Sequence, residues 1–569
     1  MKLRGSISDN RLVVGAVLLA LAAIFRFARL GLEGLWCDEA YTAWLIRMPL
    51  GEMITTLIQT DDAPPIFYIC QKFITTFVGQ SEFGLRFISA SCGCLVVLYL
   101  ALRSIRERDN ASMWSAIFFG VTSFSIFYAR QARSYGLILL LIFIFILAAR
   151  DLLRGSSRWA GPLLALSGSL LALSHNIGGV IVFSSLPLWL VYRGVKIDRI
   201  KLRSWLLWHL LPVAICLLWL GLSRSQLTIH ATLNQWMAGF WETHNLFAAP
   251  WLSCRAWVPG LYDTGLGSIA LPTMTSGKAI WFALSLAALI VTFFYIVRGY
   301  FDLGRRREIL LYLGYLVLPL GGLLAVSLLW APVYVVGRSD LIVFPALVLL
   351  IGIGLSRMPR WGAALILSLW ALISLISLQS TYGLGQINKM KGTDRSIAAF
   401  MADGQLAPGD WMIHSNLTQP TFAYYLGRSD INYQTAWFPK ESGINPSAVV
   451  QVEYEQLDRY LAEAIDLRSQ IEQDLPETGK VWLVATVDNR HAGDPSLWRA
   501  PGAMMTANQI TFPTSLMLYS LVGVKPMMVA RLYRQDWIAG DRVLIPIPKA
   551  EWLPVENLPP IQTEGDDGR

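Results

Sequence analysis

The sequence predicts a polytopic α-helical membrane protein with a C-terminal extracytoplasmic α/β domain. Of its 569 residues, 54% are hydrophobic and 15% are charged, which excludes an ordinary soluble globular chain. Apolar runs of about 17–22 residues recur as far as Leu378, and each is long enough to cross the hydrocarbon core of a bilayer as a helix. Beyond that residue, short strand-like and helix-like segments alternate, as they do in a small α/β domain.

We predict about eleven transmembrane helices from the apolar runs. They lie at residues 11–30, 85–102, 111–128, 135–150, 159–174, 177–193, 205–222, 279–297, 309–330, 341–356 and 361–378. The first run is longer than the apolar part of a removable signal peptide and lacks a small-residue cleavage site. We therefore expect it to remain in the mature protein as the first span.

Basic residues mark one side of the predicted bundle. They occur in alternate short loops, at Arg103, Arg106, Arg108, Arg150, Arg154, Arg158, Arg193, Lys196, Arg199, Lys201, Arg203, Arg298, Arg305, Arg306, Arg307, Arg357 and Arg360. By the positive-inside rule, these loops and the N-terminus are cytoplasmic. The net charge of +8 is on this interpretation mainly a topology signal, and nucleic acid is not an expected partner.

On this topology, we predict that the chain divides into three parts. Residues 1–378 form a transmembrane domain whose outer loops, 31–84 and 223–278, include membrane-surface helices. The aromatic residues of the second loop fit either a docked loop or a wall of a substrate cavity. Residues 379–553 form the extracytoplasmic α/β domain, and the acidic tail 554–569 is predicted to be disordered.

Local patterns predict elements within the outward-facing parts. Two surface helices are expected near 50–60 and 66–78, separated by a pair of prolines that excludes one continuous helix. Buried strands are expected at 410–414 and 480–485, where short apolar runs occur. One-sided apolar spacing predicts a helix over 453–475.

Polar residues collect at the predicted outer mouths of the helices. They are Asp38, Glu39, Tyr41, Asp62, Arg133, Tyr135, His175 and Arg338. A carboxylate can take the proton from an attacking hydroxyl. Arginines can hold a phosphate and stabilise the charge on a leaving group, because the guanidinium fork matches its oxygens. The set favours transfer of a group from a phosphate-linked lipid, and the sequence contains no phosphate-binding loop of the ATPase type.

Several of these stretches resemble bacterial glycosyltransferase family 39, relatives of protein O-mannosyltransferases and of the lipid A aminoarabinose transferase. The first loop carries Leu35-Trp36-Cys37-Asp38-Glu39-Ala40-Tyr41, Asp62-Ala63-Pro64-Pro65-Ile66-Phe67-Tyr68 and Gly79-Gln80-Ser81-Glu82-Phe83-Gly84-Leu85-Arg86. Farther along, Gln131-Ala132-Arg133-Ser134-Tyr135 is similar to the family's Glu-Ala-Arg-x-Tyr turn, and Arg338 with Pro345 is similar to its Arg-Tyr…Pro segment. The resemblance covers the membrane part and, more loosely, the outer domain.

The resemblance implies a GT-C fold and an inverting enzyme that takes a sugar from a polyprenyl-phosphate carrier. Asp38 matches the family's catalytic aspartate, proposed as the general base. Glu39 matches its neighbour, and Asp62 matches the second acidic position ahead of the prolines. Arg133 and Arg338 match positions suited to the carrier phosphate.

Two positions depart from the family's pattern. Gln131 stands where the family has Glu, which removes a metal ligand or a hydrogen-bond acceptor. Ala63 stands where the aminoarabinose transferases carry a lysine, which argues against that substrate pair. We therefore expect no cofactor and no metal-ligand residues, although a role for a divalent metal stays open.

The charged candidates also have structural interpretations. Asp38 suits a helix N-cap, Glu39 an ion pair, and Asp62 the start of a turn. Arg133 and Arg338 suit helix ends at the membrane surface, where long cationic side chains reach towards water.

Three further residues are candidates for substrate binding. Tyr41 and Tyr135 fit either a cavity wall or an anchor at the membrane interface. His175 fits a structural hydrogen bond better than a catalytic role, because no metal ligand lies at helical spacing from it.

The leading hypothesis is a glycosyltransferase of the bacterial cytoplasmic membrane that acts on a cell-envelope glycolipid. Its expected partners are a polyprenyl-phosphate-linked sugar, a lipid or protein acceptor, and membrane lipids. The alternatives are a protein O-glycosyltransferase acting on secreted proteins, a multi-span transporter or flippase, and a non-catalytic carrier-binding subunit. Charges that crowd one face, without related halves or broken-helix pairs near the midplane, disfavour the transporter.

Overall fold

A computed structural model of the protein provides the structure described below. It describes residues 3–60, 63–193, 199–223, 246–261, 278–302, 305–330, 332–379, 389–414, 418–440, 457–486, 512–523, 538–539 and 542–558. Most of these residues are helical, and the strands form one mixed sheet.

The chain divides into two compact units. The first comprises Met1–Leu32 and Ile46–Gln386, and the second comprises Glu33–Leu45 and Ile387–Arg569. The sequence-based domain boundaries stay predictions. Most of the tail predicted to be disordered, residues 559–569, lies outside the described residues.

Within the described ranges, seventeen α-helices lie between the N-terminus and the end of the apolar part. They are α1 Leu3–Phe27, α2 Cys37–Arg47, α3 Leu50–Thr60, α4 Ile66–Val78, α5 Glu82–Glu107, α6 Asn110–Val121, α7 Ser123–Ala129, α8 Tyr135–Arg154, α9 Ala160–Ala172, α10 Gly178–Ser185, α11 Leu188–Arg193, α12 Arg199–Leu222, α13 Ala249–Trp257, α14 Lys278–Tyr300, α15 Arg306–Leu329, α16 Phe344–Ser356 and α17 Arg360–Ser377. The predicted surface helices correspond to α3 and α4.

The predicted apolar runs are helical, which confirms a polytopic α-helical membrane protein. Within the described ranges, seven helices are long and apolar enough to span a bilayer, or eight if α6 and α7, bent by 66°, form one span. This is fewer than the eleven we predict. The predicted spans 11–30, 159–174 and 177–193 are not among these helices. The first of them is the helix α1, α9 has only 13 residues, and the run 177–193 divides into α10 and α11.

Aromatic rings fill the centre of the first unit. Phe118 meets Trp370 edge-on with ring centroids 5.1 Å apart, and Phe124 lies 4.8 Å from Phe344. Gly352 lets α16 approach α6 so closely that a β-carbon there would lie 2.5 Å from the Ala111 carbonyl oxygen. Small residues at such contacts are typical of helix packing in membranes.

In the described residues after 387, the second unit contains a five-stranded sheet and four α-helices. These are β1 Trp411–His414, β2 Gln434–Trp437, β3 Lys480–Thr486, β4 Ile538–Ala539 and β5 Arg542–Pro548, with α18 Lys389–Phe400, α19 Gln419–Leu426, α20 Leu457–Asp474 and α21 Phe512–Val522. The strand order is β2-β1-β3-β5-β4, in which β1 is parallel to β2 and β3 while β5 is antiparallel to β3 and β4. The predicted α/β domain is thereby confirmed, with its two predicted strands at β1 and β3 and its predicted helix at α20.

Alternate residues of each strand lie in opposite apolar layers, as the two-residue repeat of a strand requires. Ile413 and Leu483 pack in the layer that includes residues of α20 and α21, whereas Met412 and Val484 pack with residues of α18 and α19. A sheet buried on both faces explains why its strands read as continuous apolar runs.

Candidate active site

Asp38 and Glu39 lie in the first turn of α2, within the second unit. Asp38 is 8% exposed, and the amino end of a helix favours a negative charge there. Glu39 is fully buried, and its Oε2 accepts a hydrogen bond of 3.4 Å from the backbone amide of Trp36. A glutamate that reaches back to the residue before the helix is one half of a capping box. The two acids therefore have different surroundings, and Glu39 has a structural role at the start of α2.

The residues around this turn hold it within the second unit. The amide of Leu35 donates to the hydroxyl of Tyr425 at 2.7 Å, and the hydroxyl of Thr42 donates to the carbonyl of Asp38 at 3.1 Å. Tyr41 is fully buried and stacks on Trp44 with ring centroids 5.4 Å apart.

Arg133 lies in the turn between α7 and α8, in the first unit. It is 8% exposed, and its Nη1 donates to the hydroxyl of Tyr68 at 3.1 Å. Its carbonyl accepts a 2.7 Å hydrogen bond from the hydroxyl of Ser89. Buried guanidinium groups are suited to bidentate binding of phosphate oxygens. The Arg133 guanidinium is therefore buried and held by a tyrosine hydroxyl.

Tyr135 connects this turn to two other segments of the first unit. Its ring meets the ring of Tyr128 at 4.9 Å and lies 6.4 Å from the ring of His175. The hydroxyl of Tyr128 donates to the carbonyl of Gly337, the residue before Arg338. Arg133, Tyr135, His175 and the Arg338 turn thus belong to one neighbourhood.

His175 has a local structural contact. Its Nδ1 accepts a 3.3 Å hydrogen bond from the amide of Ile177, and the carbonyl of Leu173 accepts a 3.0 Å hydrogen bond from the amide of Ile66 at the start of α4. The segment after α9 is therefore joined to the end of the proline pair. Asp62, immediately before that pair, lies outside the described residues.

Arg338 is half-buried and precedes a single 3-10 segment, Ser339–Val343. Gly337 has a φ of +77°, a conformation that glycine adopts without strain, and this allows the chain to turn there. The amides of Arg338 and Ser339 both donate to the carbonyl of Val335 at 3.1 Å. The turn is therefore compact and fixed by its own backbone.

Asp340 is a buried acid that the sequence did not single out. It is fully buried near the Ser253 side chain and the Gly337 backbone, and within the described residues neither carboxyl oxygen accepts a hydrogen bond of ordinary geometry. Tyr334 lies nearby, and its hydroxyl is 2.9 Å from that of Ser253. Burial and the neighbouring Asp340 carboxyl both raise the pKa of Tyr334, so it is a neutral hydroxyl near pH 7.

Tyr68 and Tyr128 are the other site residues that sequence reasoning missed. Tyr68 lies in a stretch that resembles family 39, so the motif was a signal that could have found it, whereas Tyr128 lies before the similar stretch Gln131–Tyr135. Asp340 has no such signal, because only the tertiary structure shows that its carboxyl is buried. Gln131, which replaces the family's glutamate, is 2% exposed.

Across the described part of the chain, no three His, Cys, Asp or Glu side chains gather in a group able to hold a metal ion. The metal-free mechanism itself stays a prediction. Asp38, Glu39 and Tyr41 belong to the second unit, whereas Arg133, Tyr135, His175 and Arg338 belong to the first.

Comparison with solved structures reveals the fold. The crystal structure of ArnT from Cupriavidus metallidurans in the apo state covers 87% of this chain and 95% of its own, with 13% identity and a TM-score of 0.51. The two proteins share a fold. ArnT is a lipid A aminoarabinose transferase, so the GT-C architecture implied by the sequence resemblance is confirmed. At this identity the likeness establishes the architecture alone.

A second ArnT structure from the same organism, bound to undecaprenyl phosphate, aligns with 93% of this chain and 97% of its own. Its identity is 12% and its TM-score is 0.49. No protein-family profile matches the chain, and no curated protein matches it.

Proposed function

We propose that the protein is a membrane glycosyltransferase that moves a sugar from a polyprenyl-phosphate carrier to an acceptor hydroxyl. The ArnT-like fold, which covers most of both chains, is the observation that carries this proposal. We further propose that it acts at the outer face of the bacterial cytoplasmic membrane, with a cytoplasmic N-terminus, as the basic loops predict.

Asp38 is the general base in this proposal. The acceptor oxygen bonds to the anomeric carbon while the bond from that carbon to the carrier phosphate breaks. The electron pair of the broken bond leaves with the phosphate, and the acceptor proton passes to the Asp38 carboxylate. Attack opposite the leaving group inverts the anomeric centre. Glu39 supports the helix that bears Asp38, because its carboxylate is engaged at the start of α2.

Arg133 and Arg338 bind the carrier phosphate in this proposal and stabilise the charge that develops as it leaves. Support comes from the burial of Arg133 and from its hydrogen bond with Tyr68, which limits the conformations of the guanidinium. The ring contacts of Tyr135 and the Tyr128 hydrogen bond bring the two arginine-bearing turns into one neighbourhood.

The acceptor and the sugar are narrower proposals. We favour a cell-envelope glycolipid as acceptor, and a protein hydroxyl is the alternative. Ala63, which is 4% exposed, stands where aminoarabinose transferases carry a lysine. We therefore disfavour an amino sugar like theirs. We propose that neither a cofactor nor a metal is required, since Gln131 lacks a carboxylate.

A transfer assay in proteoliposomes tests this function. Purified protein would receive a panel of radiolabelled polyprenyl-phosphate sugars with extracted envelope lipids or acceptor peptides, in the presence and absence of a chelator. We expect label to reach one acceptor class from one or a few donors, with chelator having no effect. Movement of the lipid across the bilayer without transfer would instead identify a flippase and refute the proposal.

A further inference from the structure

Two buried arginines, Arg26 and Arg130, donate hydrogen bonds in opposite directions between α1 and the segment that contains α6 and α7. We propose that they are positioning residues, which together fix the turn that presents Arg133 to the carrier phosphate. This inference rests on the role of Arg133 in the proposed function.

Arg26 donates hydrogen bonds at the break between α6 and α7. It is fully buried in the last turn of α1, and its guanidinium donates to the carbonyls of Phe119 and Gly120 at 3.2 Å each. These carbonyls lie in the last turn of α6, where a helix leaves backbone oxygens without partners. The amide of Ser123 donates instead to the hydroxyl of Ser374 at 3.0 Å. Arg26 thus replaces donors that the bend removes.

Arg130 donates hydrogen bonds to carbonyls at the end of α1. It is 5% exposed, and its Nη1 donates to the carbonyls of Phe25, Arg26 and Ala28 at 3.4, 3.0 and 2.8 Å. Its Nη2 donates to the carbonyl of Arg29 at 3.2 Å. A cation at the carboxyl end of a helix is favoured by the helix dipole. Each arginine therefore satisfies the carbonyls at the end of the other segment.

Arg26 and Arg130 together form a reciprocal clamp, and Arg130 lies three residues before Arg133 along the chain. The far side of the turn is held by the hydroxyl of Ser89, which donates to the carbonyl of Arg133 at 2.7 Å. Gly136 approaches so closely that a β-carbon there would lie 2.6 Å from the Ser89 carbonyl oxygen. The backbone of the turn is thus fixed at both ends, which leaves the Arg133 side chain as the group to engage a ligand.

A membrane-anchoring role explains these arginines less well. A snorkelling arginine extends its charged head to water, whereas both members of the clamp are buried and bonded to carbonyls. Burying a guanidinium is costly unless it is hydrogen-bonded, and here backbone oxygens accept from both terminal nitrogens of each arginine. A residue that only anchors a helix at the membrane surface does not need hydrogen bonds to several defined backbone carbonyls.

Three variants test the clamp in the full-length protein. Arg130→Gln removes the fork, Arg130→Lys keeps the charge but offers a single donor group, and the exposed Arg106→Gln is the matched control. Amide hydrogen exchange of residues 129–136 reports on the turn, and the affinity for a polyprenyl phosphate in detergent reports on Arg133. We expect Arg130→Gln to speed exchange and weaken binding by about tenfold or more, Arg130→Lys to fall between, and the control to match wild type.

The outcomes separate the clamp from the proposed function. Unchanged exchange in Arg130→Gln would overturn the clamp, whatever the protein binds. Faster exchange with unchanged affinity would overturn the positioning of Arg133. If the wild-type protein failed to bind polyprenyl phosphate, the proposed function and the ligand of the turn would both be rejected, while exchange would still decide whether the clamp holds the turn. Arg130→Lys keeps the test valid if the glutamine variant does not fold.

Discussion

Asp38 and Glu39 are adjacent in sequence but differ in what they contact. The family resemblance predicted that they are important, and it predicted different roles for them. The structure adds that Glu39 is fully buried and accepts a hydrogen bond from the Trp36 amide, and both features depend on how the chain packs. Burial of a single polar side chain is set by tertiary contacts, which a motif does not encode.

Protonation of His414 is expected to destabilise the second unit at acid pH. This histidine ends β1, is 1% exposed, and burial lowers its pKa to about 3. The unfolded chain takes up a proton below about pH 6.5, whereas the folded protein does not until about pH 3. The stability contributed by the neutral ring is therefore complete above pH 6.5 and is lost as the pH falls towards 3.

The loss at about pH 5 is expected to be about 2 kcal/mol in the free energy of unfolding. Thermal melting in detergent at about pH 7.5 and about pH 5 measures it. His414→Asn should flatten the dependence, because no group remains there to titrate. An equally steep fall in that variant would contradict the assignment.

Replacement of Asp340 by leucine is expected to stabilise the protein by about 1–3 kcal/mol, because a buried polar group without a partner is unfavourable. Asp410→Leu is the matched control. Asp410 is equally buried, but its carboxyl accepts hydrogen bonds from the amides of Ala407 and Lys480 and from the indole of Trp482. We expect the control to lose stability in the same melting assay. Similar losses in both variants would show that Asp340 has a partner.

At the scale of elements, helix existence was predicted better than helix continuity. Hydropathy identified the apolar runs, but no proline marks the break between α6 and α7 at Thr122, and a glycine such as Gly120 is common within continuous transmembrane helices. Distant partners, Arg26 and the hydroxyl of Ser374, provide the hydrogen bonds that the break requires. Local sequence cannot reveal such partners, which explains why the predicted span 111–128 appeared continuous.

Because α6 packs closely against α16, we expect alanine substitutions at two glycines to differ in their effect on stability. A β-carbon at Gly352 would meet the Ser115 hydroxyl and the Ala111 carbonyl, whereas one at Gly362 would meet nothing within 4 Å. Gly352→Ala should lower the melting temperature, with a cost of about 1–3 kcal/mol from overpacking. Gly362→Ala should be neutral or stabilising by up to about 1 kcal/mol, since alanine favours a helix. Equal melting temperatures would contradict the packing.

Four of the basic residues that predicted the topology belong to an ion-pair network. The network joins α5, α8 and α15, and it comprises Arg103, Arg150, Arg154 and Arg305 with Glu107, Asp109, Asp151 and Glu308. Equal numbers of the two charges make it neutral as a whole. These residues therefore hold helix ends together, which their use as topology signals did not predict.

Among the residues of this network, Glu308 should cause the largest loss of stability when its charge is removed. It pairs with Arg150, Arg154 and Arg305, and its side chain is 2% exposed. Glu308→Gln should cost about 3–5 kcal/mol, because it leaves buried positive charge uncompensated. In the same melting assay, Asp466→Asn should change stability by about 1 kcal/mol or less, since its pair with Lys440 is exposed at 58% on both sides. A Glu308→Gln protein as stable as wild type would contradict the network.

At the scale of the whole molecule, the order of weak motifs predicted the architecture despite low sequence identity to the solved structures. Each motif lies at the end of a helix or in a turn, where backbone geometry restricts the residues that fit. The motif residues of the first outer loop also divide between the two compact units: Asp38 groups with the sheet-containing unit, and Tyr68 with the helical one. A hydropathy profile cannot predict this grouping, because it depends on contacts between segments far apart in sequence.

The most direct test of the account is sugar transfer by Asp38→Asn in proteoliposomes, compared with wild type at equal amounts of folded protein. Asparagine keeps the size of the side chain but cannot accept the proton. We expect transfer from the polyprenyl-phosphate donor to fall by about 10²–10⁴-fold, with carrier affinity nearly unchanged. Transfer at the wild-type rate would contradict the assignment of Asp38 as the general base.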